Sequence, residues 1–545
     1  MPPRAIAAPT ISSGRRAHLR WQYGTHFWIP QRQDDFSRGI VRDLAKTHIP
    51  ANGLYDSLDY LIHRPGHLVK RGPTVYAGPA LGGTASNVNT VFYAKFAAGD
   101  QLLAVSDVGD NAGTASGHLY VVTAGSATDK GGIAGHGWQC GGKPKMFYGS
   151  GVEYVFFPTL EAGGATPIYY DGVNAPARMP SGAGANGQYL EIYKSRVVVG
   201  GGWHNASGPT TQNRAYFSPI PNPLAAWDAS SYIDFDHPIT GFASLQNALL
   251  VFSWGTTERL RGSAPPPNSD MDRQPVGDIG CCDARSIDVY QNSAIFANTR
   301  GIYLSNGVGF DDITSGPHGN DGISQYWQDV VLAGYNPATD VITGGVTGDF
   351  YLVGVSTTGI TLLCHIPTKS WTRLSNISAN MVAGAHAPFD ELYYGDRSSP
   401  RVLKLSGLFL TENNVTSSGK DANGTAIAPM FETRSFGQEI NEAAWGDAHL
   451  TYGMNDTSPA STPTIAAQYL PHLYSSEGSP ATAPESPLVA TPYAGFAVKR
   501  RRFSTGTDSG AMSLRFTQTG ASAATVIRAV ELDQRGYPQT IDGPL

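Results

Sequence analysis

Ala294-Ile-Phe296 followed by Gly301-Ile-Tyr-Leu304 is one instance of the pattern that decides the fold: an apolar run, a turn, then a short run with bulky residues. The second run recurs, in chain order, at His118-Leu-Tyr-Val-Val122, Pro167-Ile-Tyr-Tyr170, Arg214-Ala-Tyr-Phe217, Glu258-Arg-Leu260, Gly301-Ile-Tyr-Leu304, Thr361-Leu-Leu363 and Arg401-Val-Leu403. Successive starts lie 49, 47, 44, 43, 60 and 40 residues apart. Apolar runs precede the others too: Leu102 to Val105, Tyr154 to Phe157, Val197 to Val199, Ala248 to Phe252, Phe350 to Val355 and Glu391 to Tyr394. A unit of four short strands every ~40–50 residues is what a β-propeller blade needs, because each small sheet buries its faces only against its neighbours. Residues 85–410 are therefore expected to form a β-propeller of about seven blades. Six or eight stay open, because the 60-residue interval has room for another strand pair. A long array of β-sandwiches is the competing architecture.

Composition agrees with an all-β chain. The 545 residues exceed what one core holds, so two or more folded units are expected. Hydrophobic residues make up 41%, enough to fill cores, while 64 glycines and 37 prolines supply turns between short strands. Outside the repeats, residues 1–35 read as an extended basic N-terminal arm. Residues 36–84 read as a lead-in segment with a short helix, from the spacing of Leu54, Leu58, Leu61 and Ile62. Residues 411–424 are polar and turn-rich, a linker. Residues 425–545 carry six strand candidates and are expected to form an antiparallel β-sandwich, interrupted by a long mobile loop from Tyr474 to Pro492.

Charge is unevenly distributed. Residues 1–80 hold eleven Lys and Arg against five Asp and Glu, a balance of +6, so the rest of the chain carries −12. A basic head on an acidic body suggests an arm that docks on a neighbour. Arg15, Arg16, Arg20, Trp21, Phe27 and Trp28 are its candidate contacts, and deleting residues 2–34 is expected to leave a folded, soluble body. The run Lys499-Arg500-Arg501-Arg502 is a second candidate contact; its rival role is a charged edge that prevents sheet-to-sheet aggregation. No basic cluster is interleaved with aromatics at ordered spacing, so sequence-specific nucleic-acid binding is not expected.

The chemistry-bearing residue types form no motif. Cys140, Cys281, Cys282 and Cys364 contain no C-x-x-C pair, and four cysteines in 545 residues are not a disulfide framework. His63 and His67 have ligand spacing, but Pro65 and Gly66 between them break a helix. Neither G-x-S-x-G, H-E-x-x-H nor a P-loop occurs. Ser106-Asp107 and Ser305-Asn306-Gly307 are fragments of a sialidase-type box, and Trp227-Asp228 lacks the Gly-His partner of other propeller repeats. The expectation is a non-enzymatic chain with no cofactor and no metal. No apolar run approaches the ~20 residues of a membrane span, and Met-Pro-Pro-Arg at the start lacks a signal-peptide core.

Three phrases carry a resemblance. Asp35-Phe36, Gly39-Ile40 and Asp43 are followed by Ile49-Pro50-Ala51-Asn52-Gly53 and Arg64-Pro65-Gly66-His67-Leu68-Val69-Lys70-Arg71-Gly72. Ile279-Gly-Cys-Cys-Asp-Ala-Arg-Ser-Ile287 precedes Ala294-Ile-Phe296, Gly301 to Gly307, Ile313-Thr-Ser315 and Tyr326-Trp327. The third is an Arg-rich strand before a final strand, Ile527 to Gln534. In order and spacing these resemble a family of bacteriophage tail β-propeller proteins, of the nozzle or minor-tail type. The resemblance implies a structural virion component, made in the host cytoplasm. It would contact other tail proteins, assemble as a symmetric ring or other homo-oligomer, and bear on host attachment or DNA passage. The double cysteine, the long basic arm and the lack of a full third phrase in the sandwich depart from the family pattern. Two alternatives stand beside it: a receptor module holding host-surface glycans, with Tyr169, Tyr170 and Trp203 as contributors, and a glycan-cleaving propeller enzyme.

Overall fold

A computed structural model describes residues 20–21, 27–64, 66–82, 85–107, 117–132, 141–149, 151–159, 166–179, 187–201, 212–220, 222–319, 321–385, 391–405, 421–437, 443–456, 464–473, 476–477, 481–482, 488–489, 497–504, 508–509, 511–519 and 523–536. For residues 20–21, 27–30, 63–64, 107, 385, 437, 443–444, 446, 453–456, 472–473, 476–477, 481–482, 488–489, 497–504, 508–509, 519, 523–525 and 533–536 it describes the backbone alone. The chain divides into two compact units: a repeat unit, Pro73–Leu408 with Asp421–Thr425, and a terminal unit, Met1–Gly72 with Phe409–Lys420 and Ala426–Leu545.

The repeat unit is a succession of small antiparallel sheets, a β-propeller-like arrangement. Five consecutive four-strand runs lie in residues 87–132, 145–178, 189–234, 239–277 and 288–312, and a sixth meander follows in residues 342–374. The seventh sheet takes three strands from Ala379–Ala385, Glu391–Asp396 and Val402–Leu405. Its outer strand is Thr74–Tyr76, from the other end of the unit. The recurring pairs of the sequence are the second and third strands of these sheets: Gly99–Asp107 with His118–Val122, for instance, and Ser293–Ala297 with Ile302–Ser305. The 60-residue interval contains, among its described residues, the helical segments Ser324–Tyr326 and Trp327–Val331 and no strand pair between the fifth and sixth sheets.

Sheets pack face to face in order. Leu119 and Val105 of the first meet Phe157 and Tyr170 of the second; Phe252 of the fourth lies 4.6 Å, ring to ring, from Phe296 of the fifth. The seventh packs back on the first, where Ala383 and Val402 join Leu102, Ala104 and Tyr120 in one core. The first strands of neighbouring sheets converge, and glycine permits it: a Cβ on Gly384 would lie 1.9 Å from the Val346 carbonyl oxygen, and one on Gly345 2.6 Å from Val382.

The terminal unit is built from both ends of the chain. One sheet runs, in spatial order, Arg20–Trp21, Phe27–Gln33, Ala523–Gly536, Ala443–Asp456, Ala497–Ser504. The other brings together Gly39–Ile40, Gly53–Leu58, Met430–Thr433, Ala511–Thr519 and Thr464–Leu473. A single core joins them, including Phe36, Leu54, Tyr60, Phe431, Trp445, Leu450, Phe516 and Ile527.

Several expectations are corrected here. The short helix expected over residues 53–62 is two strands, Gly53–Leu58 and Tyr60–Arg64. Asp59 between them takes a left-handed backbone (φ +58°), which a helix cannot contain, and its carboxylate is fixed by the Arg71 guanidinium at 2.6 Å with both side chains fully buried. The lead-in through Gly72 belongs with residues 426–545, not ahead of the repeats as a separate segment. The arm is not free over its whole length: Phe27–Gln33 pairs with Ala523–Gly536 from Phe27↔Gly536 to Gln33↔Val530. Within the loop expected from Tyr474 to Pro492, Ser476–Glu477, Ala481–Thr482 and Leu488–Val489 pair with Thr464–Leu473. Most of the expected linker lies outside the described residues, but Asp421–Thr425 belongs to the repeat unit, where the Asp421 carboxylate accepts from the Thr74 amide at 2.9 Å.

Candidate functional site

The candidate contact residues fall at two edges of one sheet. Arg15 and Arg16 lie outside the described residues. Arg20 and Trp21 form the outermost strand on one side, opposite Trp28 and Phe27. Arg500, Arg501 and Arg502 lie on the last strand on the other side, opposite Thr451, Leu450 and His449. The structure therefore separates the two groups by two intervening strands, Ala523–Gly536 and Ala443–Asp456. Arg32, further along the first group's strand, donates to Glu531 at 2.9 Å, which holds that segment to its own chain.

A second constellation lies where the first strands of the repeat-unit sheets converge. Lys143, just before the second sheet, donates to Asp288 of the fifth at 2.8 Å. Asp288 also accepts from the amides of Val346 in the sixth sheet and of Val289, each at 2.9 Å. Burial alone would raise its pKa; the Lys143 ammonium and these amides outweigh that and hold it below the ordinary carboxylate range. Lys145 pairs with Glu191 of the third sheet at 2.7 Å. Asp283 caps the turn Ala284–Ser286, takes the Arg285 guanidinium at 2.9 and 2.8 Å, and accepts from the Ile342 amide at 2.9 Å. Tyr351 donates to the Ser286 carbonyl at 2.8 Å. The turn within the second family-like phrase thus ties the start of the fifth sheet to the sixth.

This constellation braces sheets and leaves little room. The cavity beside it, lined by Gly142, Lys143, Lys145, Tyr189, Phe242 and Ile287 among others, measures about 10 Å³, at the lower limit for one water. Sequence reasoning passed over it because its charges are scattered between residues 143 and 288. The available signal was a charge set into an apolar strand, as Glu191 is in Tyr189-Leu-Glu-Ile-Tyr193.

Other singled-out residues are structural. Burial pushes the Cys281 thiol up to about 12 and the Cys282 thiol well above its usual value, so neither is a nucleophile near neutral pH. They lie before the turn Ala284–Ser286, with Cys281 donating to the Asp283 carbonyl and Cys282 to that of Ala297. Cys140 lies outside the described residues. Tyr170 is fully buried, and Tyr169, half-buried, packs at right angles to Tyr154 with ring centroids 5.4 Å apart. Trp203 lies outside the described residues. Ser106 is buried, Ser305 stabilises its own turn by donating to the Gly309 carbonyl, and Trp227 is buried with its indole N–H on the Pro223 carbonyl. His67 sits in a hairpin opposite Arg64.

No family model matches this sequence, and no curated protein matches it. Among solved structures, a Mycobacterium tuberculosis puromycin-hydrolyzing peptidase aligns over 67% of this chain at 12% identity, with a TM-score of 0.32. This chain spans 61% of that structure's length, and a likeness of this degree carries no argument about activity. No helix among the described residues is long and apolar enough to cross a membrane.

Proposed function

We propose that this protein is a non-enzymatic structural component of a bacteriophage tail. In this reading the repeat unit is a seven-bladed propeller and the terminal unit a β-sandwich threaded by both chain ends. The observation that carries the platform role is the brace of ion pairs across the converging first strands. Lys143–Asp288 and Lys145–Glu191 couple non-adjacent and adjacent sheets, and the space beside them is about 10 Å³. Charge placed there holds sheets in register and leaves recognition to the loops and edges. The tail assignment rests on the three family-like phrases. Their residues have clear structural work: Phe36 packs edge-on to Phe431 at 6.1 Å, Arg71 fixes Asp59, and Asp283 fixes the turn before Ile287.

The charge asymmetry follows the structural units. The repeat unit holds 18 Lys and Arg against 27 Asp and Glu, and the terminal unit 20 against 17, so they carry −9 and +3. In a ring of copies around a tail axis, an acidic surface would let DNA pass without adhering. Gold-labelled antibody against this chain, applied to intact virions, is expected to mark one position along the tail; virions that lack the chain overturn the reading. A glycan array on the purified protein separates it from the receptor module, which requires selective binding.

A further inference from the structure

We propose that the strand Ala497–Ser504 is a docking edge that takes an extended acidic segment of a partner protein by strand addition. The strand is eight residues long and, among the described residues, pairs on one side only, with Ala443–Asp456. Its register runs without a shift from Asp447↔Ser504 to Met454↔Ala497. By contrast, the other side of Ala443–Asp456 shows two register shifts against Ala523–Gly536. A straight edge leaves the amide and carbonyl of every second residue directed away from the sheet, a ready ladder for another strand.

Natural edges are commonly blunted by proline, a bulge or shortness. Ala497-Val-Lys-Arg-Arg-Arg-Phe-Ser504 has no proline, no bulge and full length, and keeps only charge. Four consecutive cations, Lys499 to Arg502, concentrate positive charge along this edge, and successive positions of a strand belong to opposite faces of the sheet. The occupant this suits is an extended segment with acidic residues on both faces. Backbone hydrogen bonds would supply the ladder and the charges its selectivity. Among the described residues, the strand at the other edge of this sheet is Arg20–Trp21, two residues long.

The proposal rests on the assembly-component reading only for where the partner comes from, and its test needs no virion. Full-length protein is titrated, by fluorescence anisotropy, with a labelled octapeptide of Glu-Glu-Val-Val repeated twice, which sets Glu on both faces of a strand, and with one of Glu-Glu-Pro-Pro repeated twice. The first is expected to bind saturably, and to weaken roughly tenfold between about 50 mM and about 300 mM salt. The second has the same charge but cannot complete a ladder, and is expected not to bind. The double variant R500E/R502E, checked for unchanged thermal unfolding, is expected to lose the Glu-Val peptide. Equal binding of both peptides means a charged patch and overturns strand addition. Absence of binding, or retention of the peptide by the double variant, overturns the docking edge. Displacement of the peptide by duplex DNA, with tighter binding of the DNA, reassigns the strand to nucleic acid and overturns the proposal. Virion labelling can fail while the peptide binds, and the reverse, so the two readings are separable.

Discussion

The two units use the same strand chemistry at opposite ranges of sequence. In the repeat unit, six of seven sheets are continuous meanders, the shortest within residues 288–312. In the terminal unit, Phe27–Gln33 pairs with the far end of the chain and Met430–Thr433 lies between Gly53–Leu58 and Ala511–Thr519. Local meanders form with small closure entropy, while strands joined across hundreds of residues form only after large loops close. The repeat unit should therefore tolerate local damage, and the terminal unit should fail as a whole when one of its distant strands is lost.

The largest expected effect is removal of residues 2–33. This strips seven residue pairings from Ala523–Gly536, the Gln33 amide bond to the Gly53 carbonyl at 2.7 Å, and the Arg32–Glu531 ion pair. The loss should exceed the ~4–5 kcal/mol that bounds most point changes. Hydrogen exchange should show residues 523–536 and 443–456 unprotected while the second strands of the repeat unit stay protected. Full protection of residues 523–536 in the truncated protein would refute the contrast. The pairing of Phe27–Gln33 argues against the expectation that deleting residues 2–34 leaves a folded, soluble body.

Next is Arg71→Met. Arg71 and Asp59 are fully buried at 2.6 Å, so the substitution removes the guanidinium that balances a buried carboxylate. The expected cost is about 3–5 kcal/mol in the terminal unit, read by urea denaturation. Adding Asp59→Asn should recover part of it, because asparagine keeps the left-handed backbone without the charge. A smaller effect is expected from Asp421→Ala in the repeat unit. Its carboxylate accepts from the Thr74 amide and hydroxyl and from Asn376, at 2.9, 3.0 and 3.0 Å, and so pins the one strand of that unit that arrives from a distance. A loss of about 1–3 kcal/mol is expected, with faster exchange confined to Thr74–Tyr76 and Val402–Leu405. Uniform loss across all seven sheets would show that the closing strand is no weaker than the rest.

What was legible in the sequence follows this contrast. The second and third strands of the repeat-unit sheets were visible because Val, Leu, Phe and Tyr alternate within runs closed by local turns, as at Ser293–Ala297 and Ile302–Ser305. The C-terminal strands were visible for the same reason, as in Ala511–Thr519. Their partners were not. Nothing in Phe27-Trp-Ile-Pro-Gln-Arg-Gln33 names Ala523–Gly536 as its neighbour, since register across such a distance is fixed by the shared core and not by a turn. Leu54, Leu58, Leu61 and Ile62 mimicked a helix because a strand pair reversed at Asp59 also brings apolar residues back at irregular spacing. The brace at Lys143, Glu191 and Asp288 was illegible because each charge comes from a different sheet and only convergence of the first strands joins them.

The smallest expected effect concerns that brace and pH. Asp288 is held below the ordinary carboxylate range in the folded protein, and its unfolded value is near ~4. The unfolded chain therefore binds the proton first as pH falls, and the stabilisation from Asp288 is fully present above that value. It is lost as pH falls through the folded pKa, below about 4. The repeat unit should show a flat unfolding midpoint from neutral pH down to about pH 5, then a decline that Asp288→Asn makes shallower. Asparagine has one acceptor oxygen where Asp288 has two, so it keeps one of the Val346 and Val289 amide bonds, loses the other and the charge opposite Lys143, and removes the titrating group itself. An equal decline in variant and parent would assign the acid sensitivity to other carboxylates and leave the amide contacts alone to hold the fifth sheet to the sixth.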